Sequence, residues 1–148
     1  MFLPRLLFVS LFALVGLAVS GCGPSMPKTI KVSGQMTYGG GAWPKAGRIM
    51  FPVMQAGEGF PNHPGFADFD TSGNFAATSY TNGDGLHPGK YLVRVECWEV
   101  PPSMDKPGAE KTYVPADFRY EFEVKPGDRN VVLKFDVPKS AVPFGPAK

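Results

Sequence analysis

From Thr29 onward, apolar and polar residues alternate with a period of two, the pattern of strands that bury one face and wet the other. Ile30, Val32, Gly34, Met36 and Tyr38 alternate with Lys31, Ser33, Gln35 and Thr37, until Gly39-Gly40-Gly41 breaks the run. Ile49, Phe51 and Val53 predict a second strand. Pro52 within it points to an edge position or an early end, because proline has no N–H for a ladder. Phe66 to Phe69 and Asn74 to Tyr80 predict a hairpin about Asp70-Thr71-Ser72-Gly73, with Gly73 supplying a positive φ.

The second half is more regular. After Pro88-Gly89-Lys90, the residues Tyr91, Val93, Val95 and Cys97 share one face and Arg94 and Glu96 the other. Phe118, Tyr120, Phe122 and Val124 alternate with Arg119, Glu121, Glu123 and Lys125. Pro126-Gly127-Asp128 then turns the chain into Val131, Leu133, Phe135 and Val137. About seven strands with one buried face each, and no helical stretch among them, predict an all-β fold of antiparallel sheets, a β-sandwich or small barrel. Between the strands lies one long loop, residues 100–117, with four prolines (Pro101, Pro102, Pro107 and Pro115). Loops of that length in small domains are commonly functional or mobile. The tail, residues 138–148, is expected to fray.

The N-terminus follows a different pattern. Arg5 precedes an almost wholly apolar run from Leu6 to Val19, shorter than the roughly 20 residues that a membrane-crossing helix needs. It ends in Val19-Ser20-Gly21-Cys22, which resembles the lipobox of bacterial lipoproteins: an aliphatic residue, two small ones, then cysteine. The resemblance implies that residues 1–21 are a signal peptide, with a signal helix. It also implies that the Cys22 sulfur carries diacylglycerol and that the chain is cut before it. Two or three acyl chains, at about 0.8 kcal/mol per buried CH2, hold a protein on a membrane where one short chain would not. Residues 22–28 then read as a lipidated N-terminus and tether, with Pro24 and Pro27, leading to a domain over 29–137. Gly23 follows the cysteine where Asp would favour inner-membrane retention, so the resemblance leans to the outer membrane.

Composition narrows the function classes. The chain has 148 residues, room for one domain, and its 18 Gly and 16 Pro fit many turns between short strands. A net charge of +2, without a basic stripe, gives no reason to expect nucleic acid as a partner.

The order of motifs resembles the carboxypeptidase-regulatory-like, or transthyretin-like (prealbumin-like), domains of uncharacterised bacterial lipoproteins. The similarity runs through Val32-Ser33-Gly34-Gln35-Met36-Thr37-Tyr38, Ile49-Met50-Phe51-Pro52 and Phe69-Asp70-Thr71-Ser72-Gly73-Asn74-Phe75. It continues through the segment from Asn82 to Val95 and Val114-Pro115-Ala116-Asp117-Phe118. It implies a seven-stranded sandwich and a non-catalytic role as a folding, spacing or binding module.

Candidate chemistry is sparse. Asp68, Asp70 and Ser72 occupy the first oxygen positions of an EF-hand-like calcium loop, but its twelfth position, where a bidentate Glu is needed, is Ser79. A hairpin turn is the favoured reading. Cys97, Met104, His63 and His87 are of the types that bind copper, yet no His stands between Cys97 and Met104 as a blue-copper loop requires. With Cys22 used by lipid, Cys97 has no intrachain partner, and its phase makes it a buried thiol. The two histidines are far apart in the chain, and no nucleophile has a neighbouring His, so no enzyme activity and no cofactor are expected. Trp43, Trp98, Phe60, Tyr80 and Tyr113 include the aromatics of a conceivable sugar-stacking platform. Trp98 stands out because it lies opposite in phase to Cys97.

The expected function is a lipid-anchored, non-catalytic structural or binding module of the bacterial cell envelope, facing the periplasm or cell exterior. The alternatives are a carbohydrate- or peptide-binding lipoprotein using Trp98, Tyr113 and the 100–117 loop, and a weak calcium module. Its partners would be the membrane through Cys22, and an envelope protein or glycan.

Overall fold

A computed structural model describes residues 27–139. The expected signal helix, Cys22 and the tail beyond Lys139 lie outside the described residues. Within them the fold is all-β, without a helix. The alternation sets the strands: β1 (Lys31–Tyr38), β2 (Gly47–Phe51), β3 (Val53–Ala56), β4 (Gly65–Phe69) and β5 (Asn74–Ala76) come first. The long β6 (Gly89–Glu96), β9 (Tyr120–Val124) and β10 (Asn130–Val137) follow, with a short ribbon of β7 (Trp98–Val100) and β8 (Lys111–Thr112) between β6 and β9.

The main sheet runs in the order β10-β1-β5-β4-β2-β6, with β9 on the far side of β6. It is curled and mixed, which corrects the expectation of purely antiparallel pairing. β1 and β10 run parallel in unbroken register from Lys31↔Asn130 to Tyr38↔Val137. Period-two alternation reports which face is buried and is silent on strand direction, so the pattern could not have told the two apart.

Pro52 also departs from expectation. β2 is a central strand, paired with both β4 and β6, and not an edge. The chain is interrupted only at Pro52 itself, whose carbonyl still accepts the Leu92 N–H at 3.1 Å, and resumes as β3 along the same side of β6. A register shift between Val53 and Gln55 absorbs the break. The predicted strand from Asn74 to Tyr80 ends early at Ala76, after which Ala77 donates to Val32 and Thr78 bridges Phe66.

Because every long strand has one apolar face, the curled sheet encloses a core of Met36, Ile49, Phe51, Tyr91, Val93 and Val137, all within 1% of full burial. Each large apolar side chain buried this way contributes about 1.5–3 kcal/mol. The curl brings the strands at its two ends together: Phe135 of β10 stacks on Tyr120 of β9, ring centroids 4.6 Å apart.

The sheet has two distinct ends. At one, the entry end, lie the chain's arrival at β1 and the segments 57–64, 77–88 and 125–129. At the other, the far end, lie residues 39–46, the 70–73 turn and the 97–119 segment. The far-end turn depends on Gly73, whose φ is +75° and where an added Cβ would sit 1.8 Å from the Met36 carbonyl oxygen. Gly83 has a similar φ of +72° with nothing near. Gly73→Ala is therefore expected to lower unfolding free energy well beyond the roughly 1–2 kcal/mol of the left-handed conformation alone, and Gly83→Ala to cost only that. Urea denaturation of the two variants side by side checks the difference.

Candidate functional site

At the entry end, the first described residues are tied to a buried imidazole. Ile30 and Leu86 exchange two backbone hydrogen bonds of 2.8 and 2.9 Å, which places His87 beneath the incoming chain with 0% exposure. His87 Nδ1 lies 3.0 Å from the Lys28 carbonyl oxygen. A carbonyl only accepts, so Nδ1 carries a proton, and Nε2 pairs with the Tyr80 hydroxyl at 3.0 Å. His63 stacks on the Tyr80 ring at 4.5 Å and donates to the Ser79 carbonyl. The Tyr91 hydroxyl donates to the His87 carbonyl at 2.8 Å, and burial pushes that phenol up to about 12. The two histidines, far apart in sequence, thus have ring centroids 6.3 Å apart. Nothing in the local sequence around either histidine signals this convergence. Beside it opens a cleft of about 410 Å3 bordered by Lys28, Phe60 and Arg129.

The neighbouring loop is shaped by Asp84. Its carboxylate accepts the backbone N–H groups of Ser79, Tyr80 and Thr81 at 2.7–3.0 Å. Burial raises the carboxyl, but these amides outweigh it and hold it below the usual carboxylate range. With the folded value depressed, Asp84 contributes its full stability above the ordinary carboxylate range, and that contribution is lost as pH falls through the folded value. Asp84→Ala is expected to cost about 1–3 kcal/mol at neutral pH, and the gap to the parent protein should narrow as pH falls below the ordinary carboxylate range. Thermal unfolding at a series of pH values reads both.

At the far end the sequence-predicted residues scatter. Trp43 is core: it is 3% exposed, donates from Nε1 to the Met36 carbonyl and packs on Tyr38 and Phe69. Tyr113 also turns inward, its ring 6.0 Å from Tyr38. Trp98 alone faces out, half-buried, beside Lys45, Arg48, Asp68 and Glu96. Trp98 and Tyr113 therefore do not form one platform, although β7 pairs with β8 and places them on the same ribbon.

The calcium-type residues are engaged as a hairpin. Asp68 is paired with Arg48 at 2.8 Å, Asp70 Oδ1 accepts the Asn74 N–H at 3.1 Å, and the Ser72 carbonyl accepts from Gln35. Ser79, at the twelfth position, is carried to the entry end, where its hydroxyl donates to the Gly85 carbonyl. An extended strand thus occupies the stretch that a calcium loop would need to fold back. The copper-type residues are dispersed too: Met104 is 99% exposed, Cys97 is 1% exposed, and His87 lies at the other end. Among the described residues, no group of three or more His, Cys, Asp or Glu is placed to hold a metal.

Cys97 is buried, its Sγ 3.6 Å from the Lys45 carbonyl, and burial pushes the thiol up. A chromogenic disulfide reagent should therefore leave Cys97 of Cys22→Ser protein unreacted in buffer and modify it fully in denaturing urea.

No protein-family model matches the chain, and no curated protein matches it. A solved structure, the crystal structure of a 9R-lipoxygenase from Cyanothece PCC8801, is similar at 12% identity with a TM-score of 0.42. The likeness covers 90% of this chain and 20% of that one, so the chain spans about a fifth of that protein's length. It carries no argument about chemistry.

Proposed function

We propose that this chain is a lipid-anchored, non-catalytic structural or binding module of the bacterial cell envelope, built on a transthyretin-like β-sandwich. The observation that carries the reading is the Val19-Ser20-Gly21-Cys22 segment directly ahead of a domain entered at Lys28. A lipid on Cys22 would sit at most about 20 Å of extended chain from that entry point. The entry end would then face the bilayer, and the far end, with Trp98 and the 97–119 segment, would face the periplasm or exterior. The curl of the sheet, with Phe135 against Tyr120, supports the sandwich class.

Expression of the full chain in a bacterial host tests the anchor. The protein is expected in the membrane fraction, released only by detergent, with a mature mass lacking residues 1–21 and gaining diacylglycerol. Cys22→Ser should retain the signal segment and carry no lipid. A Cys22→Ser protein that is still matured and membrane-bound would overturn the anchor, and a robust hydrolase activity in the purified protein would overturn the non-catalytic reading.

A further inference from the structure

The outward face of β4, β2 and β6 carries an arrangement that anchoring does not use. Arg48 is the middle of a cross-strand row, with Asp68 opposite it on β4 and Glu96 opposite it on β6. Its Nε lies 2.8 Å from Asp68 Oδ1, and both side chains stay more than half exposed. Trp98 follows two residues after Glu96. Because Cys97 between them is buried, both point outward. With Lys45 and Pro101, these side chains border an open shelf of about 660 Å3 at the far end of the sheet.

We propose that this shelf binds a neutral saccharide, with one pyranose ring stacked on the Trp98 indole and its hydroxyls held by the Arg48–Asp68 pair and Glu96. Three observations select that class. A sugar ring presents an apolar C–H face ringed by hydroxyls that both donate and accept, and the shelf supplies an aromatic face beside carboxylate acceptors and cationic donors. The charges balance, Lys45 and Arg48 against Asp68 and Glu96, so nothing there favours an ionic ligand. The strand beneath, β2, is hydrogen-bonded on both sides, and β7, paired only with β8, is three residues long, which leaves little ladder for an extended peptide. The ion pair also fixes the guanidinium before the ligand arrives, which lowers the ordering cost of binding. The shelf is a site of the β-domain itself and is independent of Cys22.

The test is NMR titration of the full chain in micelles of a detergent without a sugar head group. The two indole N–H signals are assigned with Trp98→Ala. Probes are cellotetraose, maltotetraose, N-acetylchitotetraose and a neutral peptide, acetyl-Gly-Ser-Ala-Gly-amide. The expected result is a saturable shift of the Trp98 signal with at least one saccharide, while the signal of buried Trp43 stays in place. Asp68→Asn and Glu96→Gln, both on the exposed face and outside the core, should each weaken binding about ten-fold. No shift with any saccharide at about 20 mM, or a shift unchanged in both variants, overturns the proposal. A shift with the peptide alone reassigns the shelf to peptides. Loss of lipidation in Cys22→Ser leaves the titration unaffected, so failure of the anchor and failure of the shelf are read separately.

Discussion

A sheet whose strands each carry one apolar face, with no helix among the described residues to lay over it, can bury that face only against itself. That constraint shapes this domain. The eight-residue strands β1, β6 and β10 commit their inward positions to Val32, Met36, Tyr91, Val93, Leu133 and Val137. The sheet must curl until its ends meet, as the stack of Phe135 on Tyr120 records. The interruption at Pro52 serves the same end. A bend in the β2–β3 path lets one continuous side of β6 stay paired while the sheet turns.

The polar groups caught inside are few and fully engaged. His87 is the largest of them, and each of its ring nitrogens has a partner, Lys28 on one side and Tyr80 on the other. Among the described residues no buried side-chain nitrogen or oxygen is left without a partner. The entry of the chain into the fold is thereby fixed by directional bonds, where the core beyond it is fixed by volume. The two ends of the sheet differ accordingly. One is latched by hydrogen bonds around a single imidazole, and the other carries the 70–73 turn, the β7–β8 ribbon and an exposed ion pair.

Where a feature depended on one strand's own periodicity, it was legible in the sequence. The burial of Tyr91, Val93, Val95 and Cys97, the outward phase of Trp98 and the Asp70–Gly73 turn all follow from alternation and turn chemistry. Features that depend on register between distant strands were not legible. The parallel pairing of β1 with β10 is one, and the row Asp68–Arg48–Glu96 is another. The approach of His63 to His87 needed the 57–64 and 77–88 segments to share an end, which only the full strand order decides. Trp43 lay in a segment without periodicity, so its burial against Tyr38 and Phe69 had no local signal. The lipobox-like segment is the reverse case: the resemblance is carried by residues 19–22 alone, which lie outside the described residues.

The parallel ladder also has a temporal meaning. β1 is the first strand to leave the ribosome, yet it waits for β10, as much as 99 residues later, as the pair Thr37–Asp136 shows. Non-local pairing of this kind is slow to form and cannot close while the last strand is still being made. During synthesis β1 has β5 to pair with on one side, but its other side stays open until β10 has been made. A topology that defers its own completion in this way would suit the export proposed above, in which the chain crosses a membrane before it folds.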